Sequence, residues 1–263
     1  METFRNPLIE KWKGDHATLG VWCSIGNSFT AEAAASVGFD YACVDLQHGV
    51  VDYAAAVPML QAIGQRATPI VRVSWPEPWL IMQALDAGAY GVVVPMIETA
   101  EQAARVVAAC RYPPIGSRSF GPTRASIAHS TADPDDLVRV ACIVMIETRQ
   151  ALSNLDEIAA TPGLDAVYVG PSDLALALGL PPRPVEPIPE HEQEIERILQ
   201  TANRHGVVAG IHCASGVVAR TRLEQGFKMV TVGNDVVFFL SAMRDHLSEA
   251  RRGLGQGAAA AGS

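Results

Sequence analysis

Five apolar runs in this chain end in groups that can bind or move charge. The run closing on Asp45 continues through Leu46-Gln47 to His48. Others close on Arg72, on Glu147-Thr148-Arg149, on Gly170-Pro171-Ser172-Asp173 and on His212. Two carboxylates, Glu147 and Asp173, could share one divalent cation and leave it room for water and a bidentate ligand. Oxygen donors suit Mg2+ or Mn2+, and Co2+ is compatible. The same carboxylates could instead cap helices, Asp173 in the stretch SDLALALG. Arg72 follows an uncharged run, so a buried guanidinium there needs an anionic partner: Asp45, Glu147 or a substrate carboxylate. His48 could pass protons near neutral pH or be a hydrogen-bonded structural histidine. The tight turn at Gly170 offers backbone N–H groups to a small anion.

These groups act together only if their runs lie side by side. Short β-rich runs without clean alternation, as in strands buried on both faces, occupy 19–24, 40–46, 68–73, 91–95, 141–146, 166–170, 207–212 and 229–233. Helical segments lie between and after them, at 28–37, 52–63, 79–87, 99–110, 149–160, 189–204, 215–225 and 235–252. Ser28 is a possible cap for the first of these, and Gly38, Gly64 and Gly88 follow the first three. Eight alternating pairs predict a single-domain α/β fold, the (β/α)8 TIM barrel, over residues 1–252. The barrel gathers the carboxyl ends of its strands, and so the groups above, on one rim. No glycine fingerprint of a doubly wound fold follows the first strand.

Residues 6–13 are expected to form a short helix plugging the barrel floor. Residues 111–136 form a long loop rich in Gly, Pro, Ser and Arg, a type that is usually functional. Arg118 and Arg124 there could grip an anionic acceptor or tie the loop down. Five prolines stiffen 180–189, and residues 253–263 read as a disordered tail.

The composition narrows the function. The chain has 263 residues, 49% hydrophobic and 18% charged, which argues for a folded domain. A net charge of -8 disfavours nucleic acid as a partner. Five cysteines show neither CxxC nor metal spacing and read as buried thiols of a reducing cytoplasm. No segment has the length of a membrane span, and the amino terminus has no signal-peptide core.

Several segments, in order along the chain, together resemble the HpcH/HpaI aldolases, the class II pyruvate aldolases. They are GVW at 20–22, AEAAASVGFDYACVDLQHG at 31–49, PIVRV at 69–73, LDAGAYGVVVPMIET at 85–99, MIET at 145–148 and VYVGPSDLALALG at 167–179. The resemblance implies reversible aldol addition of a pyruvate or hydroxypyruvate enolate to an aldehyde, acting on 4-hydroxy-2-oxo acids. Glu147 and Asp173 match the metal carboxylates, Arg72 the arginine facing the oxo acid, and His48 the proton-transfer histidine. Asp86 matches an aspartate paired with that histidine across a subunit interface, and Asp45 a supporting acid. Ser172 and Asp173 match residues whose N–H groups hold the substrate carboxylate, and Trp22 the pocket wall. A divalent cation, Mg2+, Mn2+ or Co2+, and a hexamer exchanging its last helix are further implications.

Some positions depart from the pattern. His212 stands where the family often has an apolar residue near the donor's methyl group, which suits a hydroxylated donor. LQHG replaces the common GEHA, and Met145 replaces a polar neighbour of the metal glutamate. Two rivals remain. A CoA-ester lyase of the citrate lyase β type should carry a basic groove for the CoA phosphates, and none is evident. A non-catalytic barrel should have lost some of Arg72, Glu147 and Asp173, yet all are present.

Overall fold

A computed structural model of the chain describes residues 4–182 and 186–252. The expected tail at 253–263, and part of the proline-rich stretch, lie outside these residues. In chain order the elements are α1 (Pro7–Lys13), β1 (Thr18–Cys23), α2 (Ser28–Ala35), β2 (Tyr41–Asp45), α3 (Tyr53–Ile63), β3 (Thr68–Arg72) and α4 (Pro78–Asp86). Then come β4 (Gly91–Val94), α5 (Ala100–Ala109), α6 (Ala125–Ala128), α7 (Pro134–Leu137), β5 (Ala141–Ile146), α8 (Arg149–Ser153) and α9 (Leu155–Ala159). The chain continues through β6 (Ala166–Val169), α10 (Pro171–Ala177), α11 (Pro189–His205), β7 (Val208–His212), α12 (Gly216–Gln225), β8 (Met229–Asn234) and α13 (Asp235–Arg251).

The strands pair in parallel and in sequence, and β8 closes on β1, giving the (β/α)8 barrel. Strands β2 to β6 are buried at every position. That explains their unbroken apolar runs: one face meets the helices and the other the barrel interior. Alternate residues fill the interior, among them Tyr41, Cys43, Ile70, Val93, Ile143, Met145 and Tyr168.

Helix α1 closes the floor as expected. Leu8 is fully buried beneath the interior cluster, with Ile9 and Trp12 packed against it. Asn6 caps α1 and its amide donates to the carbonyls of Tyr90 and Arg139, tying the plug to two strand entrances.

Two expectations need correcting. Helix α2 is capped by Asn27, whose side chain accepts from Phe29 and Thr30 N–H, and not by Ser28. The single helix expected over 149–160 is two helices, α8 and α9. They break at Asn154, whose amide donates to the Glu98 carbonyl at 2.7 Å, a tertiary bond that competes with helical continuity. The long loop contains two short helices, α6 and α7. Its arginines tie it down: Arg118 is 1% exposed and donates to Asp86 at 2.7 Å and to the Leu137 carbonyl. Arg124 donates to the Ala87 carbonyl.

Candidate active site at the carboxyl ends of the strands

Side chains on a strand alternate in direction, so every second residue faces the barrel interior. Ile70 faces inward, and Arg72, two residues on, continues that row. Ile143 and Met145 lead in the same way to Glu147, and Tyr41 and Cys43 to Asp45. Trp22 on β1 lies in the same interior cluster. Periodicity and parallel strand order thus set Trp22, Asp45, Arg72, Glu147 and His212 at one end of the barrel.

Arg72 and Asp45 are register neighbours on β3 and β2 and form a bidentate ion pair, with Nε–Oδ1 at 2.8 Å and Nη2–Oδ2 at 2.7 Å. Both are buried. Burial raises the Asp45 pKa, but the hydrogen bonds and charge of Arg72, with the N–H groups of His48 and Gln47, hold it below its ordinary value. Asp45 is therefore the arginine's main anionic partner. The guanidinium also lies over the Trp22 ring, 4.1 Å from its centroid. Its Nη1 donates no hydrogen bond among the described residues.

Glu147 is 1% exposed. Its Oε1 accepts the Met96 N–H at 2.8 Å, while Oε2 is buried without a hydrogen-bond partner. Oε2 lies against the backbone of Gly170, where an added Cβ would come within 2.4 Å. Burial pushes the Glu147 pKa up to about 7; the Met96 N–H opposes this, the Asp173 carboxylate adds to it and the Arg72 charge opposes it. A buried carboxylate with one idle oxygen, turned toward the segment that carries a second carboxylate, has the donor chemistry of a hard-cation site. Among the described residues no group of three or more His, Cys, Asp or Glu could hold a metal. A cation here would complete its shell with water or substrate oxygens.

Neither carboxylate caps a helix. Thr148 caps α8, and Gly170 is the cap position of α10 without a side-chain bond. Asp173 sits exposed in the first turn of α10. The N–H groups of Ser172 and Asp173 lie in that turn, where no intrahelical carbonyl is available to them. His48 is exposed on the turn after β2, which Asp45 holds by accepting the Gln47 and His48 N–H groups at 3.0 and 3.3 Å. His212 meets the Trp22 ring edge-on, with centroids 5.0 Å apart, and Tyr168 stacks on that ring at 5.7 Å.

Asp86 is not brought to this rim within one chain. It is the last residue of α4, at the floor end of the barrel, and is paired with Arg118. The residue that sequence reasoning missed is Met96. It carries no chemistry in its side chain, and its contribution is a backbone N–H in the left-handed region at φ 57, a conformation costing about 1–3 kcal/mol outside glycine.

Comparison with known proteins places the chain and its fold. The sequence model of the family described as HpcH/HpaI aldolase/citrate lyase matches residues 18–242. A hydroxypyruvate/pyruvate aldolase of Rhizorhabdus wittichii is 38% identical over 94% of this chain and 99% of its own length. A 5-keto-4-deoxy-D-glucarate aldolase of Klebsiella pneumoniae is 38% identical over 91% of this chain and 94% of its own. The crystal structure of an HpcH/HpaI aldolase/citrate lyase family protein from Burkholderia cenocepacia superimposes with a TM-score of 0.85 at 34% identity, covering 94% of this chain and all of that one. With its barrel and its relatives in agreement, the chain belongs to the HpcH/HpaI aldolase/citrate lyase family, as a carbon–carbon lyase of the aldolase kind.

Proposed function

We propose that this protein is a divalent-metal-dependent aldolase. It joins the enolate of pyruvate or hydroxypyruvate to an aldehyde and cleaves the resulting 4-hydroxy-2-oxo acid. The observation that carries the reading is the Glu147 carboxylate, buried with one oxygen fixed and the other idle toward the Gly170–Asp173 turn. Glu147 and Asp173 would hold the cation. When bound, it supplies the Lewis acidity that draws electron density from the 2-oxo acid as its C3 proton leaves.

The remaining steps belong to the chain. Arg72, anchored by Asp45 and Trp22, presents positive charge where the substrate's oxygen becomes negative, and its rigidity spares reorganisation during the reaction. The N–H groups of Ser172 and Asp173 receive the substrate carboxylate. Trp22, backed by Tyr168, forms an apolar wall beside it. His48 takes or returns the proton, directly or through a water. Its exposure on a turn suits an acceptor side open to the incoming aldehyde. His212, against Trp22, would meet the donor's C3 substituent and hydrogen-bond a hydroxyl there.

Assembly belongs to this reading. Helix α13 buries none of its residues within one chain, and Val237, Phe239 and Met243 are more than half exposed. Exchange of α13 between neighbouring copies in a hexamer would cover that face. Asp86 would then act only by reaching His48 of a neighbouring copy.

The test is pyruvate release from a 4-hydroxy-2-oxo acid after EDTA treatment, repeated with Mg2+, Mn2+ or Co2+ restored. Activity should vanish with EDTA and return with metal. Activity indifferent to EDTA would overturn the metal assignment, and cleavage of acyl-CoA substrates alone would favour the CoA-ester lyase.

A further inference from the structure

We infer that Met96 is a positioning residue for the metal carboxylate, acting through its backbone conformation and not through its side chain. The inference rests on the reading of Glu147 as a ligand.

Three non-glycine residues among those described have positive φ: Asp15, Met96 and Ser130. Asp tolerates the left-handed region because its short polar side chain can bond locally; an unbranched apolar side chain gains nothing there. Met96 is nevertheless held in it from both sides. Pro95 and Ile97 are buried. Beyond them the Glu98 and Thr99 N–H groups donate to the Gln102 side chain at 2.7 and 3.2 Å, and the Glu98 carbonyl accepts from Asn154. A strained residue persists where its surroundings over-determine it, and such residues cluster at functional sites.

The strain has a visible product. The Met96 N–H reaches Glu147 Oε1 at 2.8 Å and is that side chain's one hydrogen bond among the described residues. On the opposite side, the bare Gly170 backbone leaves room for Oε2, which an added Cβ would approach within 2.4 Å. Met96 therefore pins one oxygen, and Gly170 makes space for the other to face a cation. The Met96 side chain is half-buried and makes none of these hydrogen bonds. With Glu98 and Thr99 tied in place, an ordinary right-handed or extended backbone at position 96 would have to be absorbed by rotation of the Pro95–Met96 peptide, which turns the N–H away and frees the carboxylate to rotate.

The experiment measures Mn2+ affinity by calorimetry on the full chain, alongside the melting temperature. Wild type should bind Mn2+, and Glu147→Gln should not; absence of binding to wild type would overturn the ligand reading and this inference with it. Given that binding, two substitutions at position 96 separate backbone from side chain. Met96→Gly keeps the N–H and favours positive φ, so its affinity should stay within about threefold of wild type. Met96→Val keeps an apolar side chain, but its β-branch disfavours positive φ. Its affinity should fall about 10- to 100-fold, the usual effect of losing a residue that orients a ligand. The reverse order, with Gly weak and Val near wild type, overturns the inference while leaving Glu147 as a ligand. Should Met96→Val fail to fold, Met96→Gly decides alone: a tenfold loss at an unchanged melting temperature refutes a backbone role.

Discussion

At the scale of single residues, the site is built from side chains whose freedom is already spent. Arg72 is fixed by Asp45 and Trp22 before substrate arrives, and Glu147 by Met96. Preorganisation of this kind places charge where it will develop at little cost during reaction. His212 is the position where donor choice is expected to reside. His212→Leu should lower kcat/KM for hydroxypyruvate relative to pyruvate by about tenfold, the effect of one lost hydrogen bond near 1.4 kcal/mol. An unchanged donor ratio in parallel kinetics would remove His212 from specificity. The candidate ligands were legible because charge at the end of an apolar run is conspicuous. The Arg72–Asp45 pairing was legible as one of three options, and only the register of β2 against β3 selects it. Met96 was not legible, since no residue type signals a backbone dihedral.

At the scale of elements, the eight strands could be read directly, because strands buried on both faces leave uninterrupted apolar runs. Helix ends were less secure. The break between α8 and α9 depends on a bond from Asn154 to a carbonyl 56 residues away in sequence, which no local pattern records. The long loop shows its purpose in the same way: Arg118, Arg124 and His129 pack under the floor near α1 and α4. His129 caps the end of α6 and packs edge-on against both the Phe4 and Tyr90 rings, each 4.4 Å away by centroid. Burial lowers its pKa from 6.5 to about 4, helped by the nearby charges of Arg118 and Arg124. The unfolded chain thus takes up a proton, between pH 6.5 and 4, that the folded chain refuses. Folding stability is fully present above pH 6.5 and falls as the pH drops through that window. By pH 5 the loss from this group is about 2 kcal/mol. Urea unfolding at pH 7.5 and pH 5 should show His129→Phe losing about 2 kcal/mol less than wild type over that interval. Equal losses in the two proteins would refute the assignment.

At the scale of the whole molecule, the closed barrel follows from the count and alternation of elements, whereas assembly does not. Helix α13 was recognisable as a helix, but its lack of cover within one chain is a three-dimensional fact. An amphipathic 17-residue helix with no buried residue gains little from tertiary packing, which usually supplies most of a helix's stability. Light scattering should therefore report an oligomer. Phe239→Glu with Met243→Glu should reduce its mass, and an unchanged mass would show that α13 is not the assembly element. Inside the barrel the constraint runs across strands. Tyr41 leans over Gly20, its register neighbour, and Tyr168 over Gly210; both hydroxyls converge on Thr231, at 2.9 and 2.6 Å. A Cβ at Gly20 would lie 2.1 Å from the Tyr41 ring, and one at Gly210 2.5 Å from that of Tyr168. Each glycine therefore holds the space that its tyrosine occupies, and no side chain fits at either glycine while the facing ring stays in place. Divergent descendants of this sequence should gain a side chain at Gly20 or Gly210 only after, or together with, the loss of the facing tyrosine ring, so mutational paths through the interior run in one order.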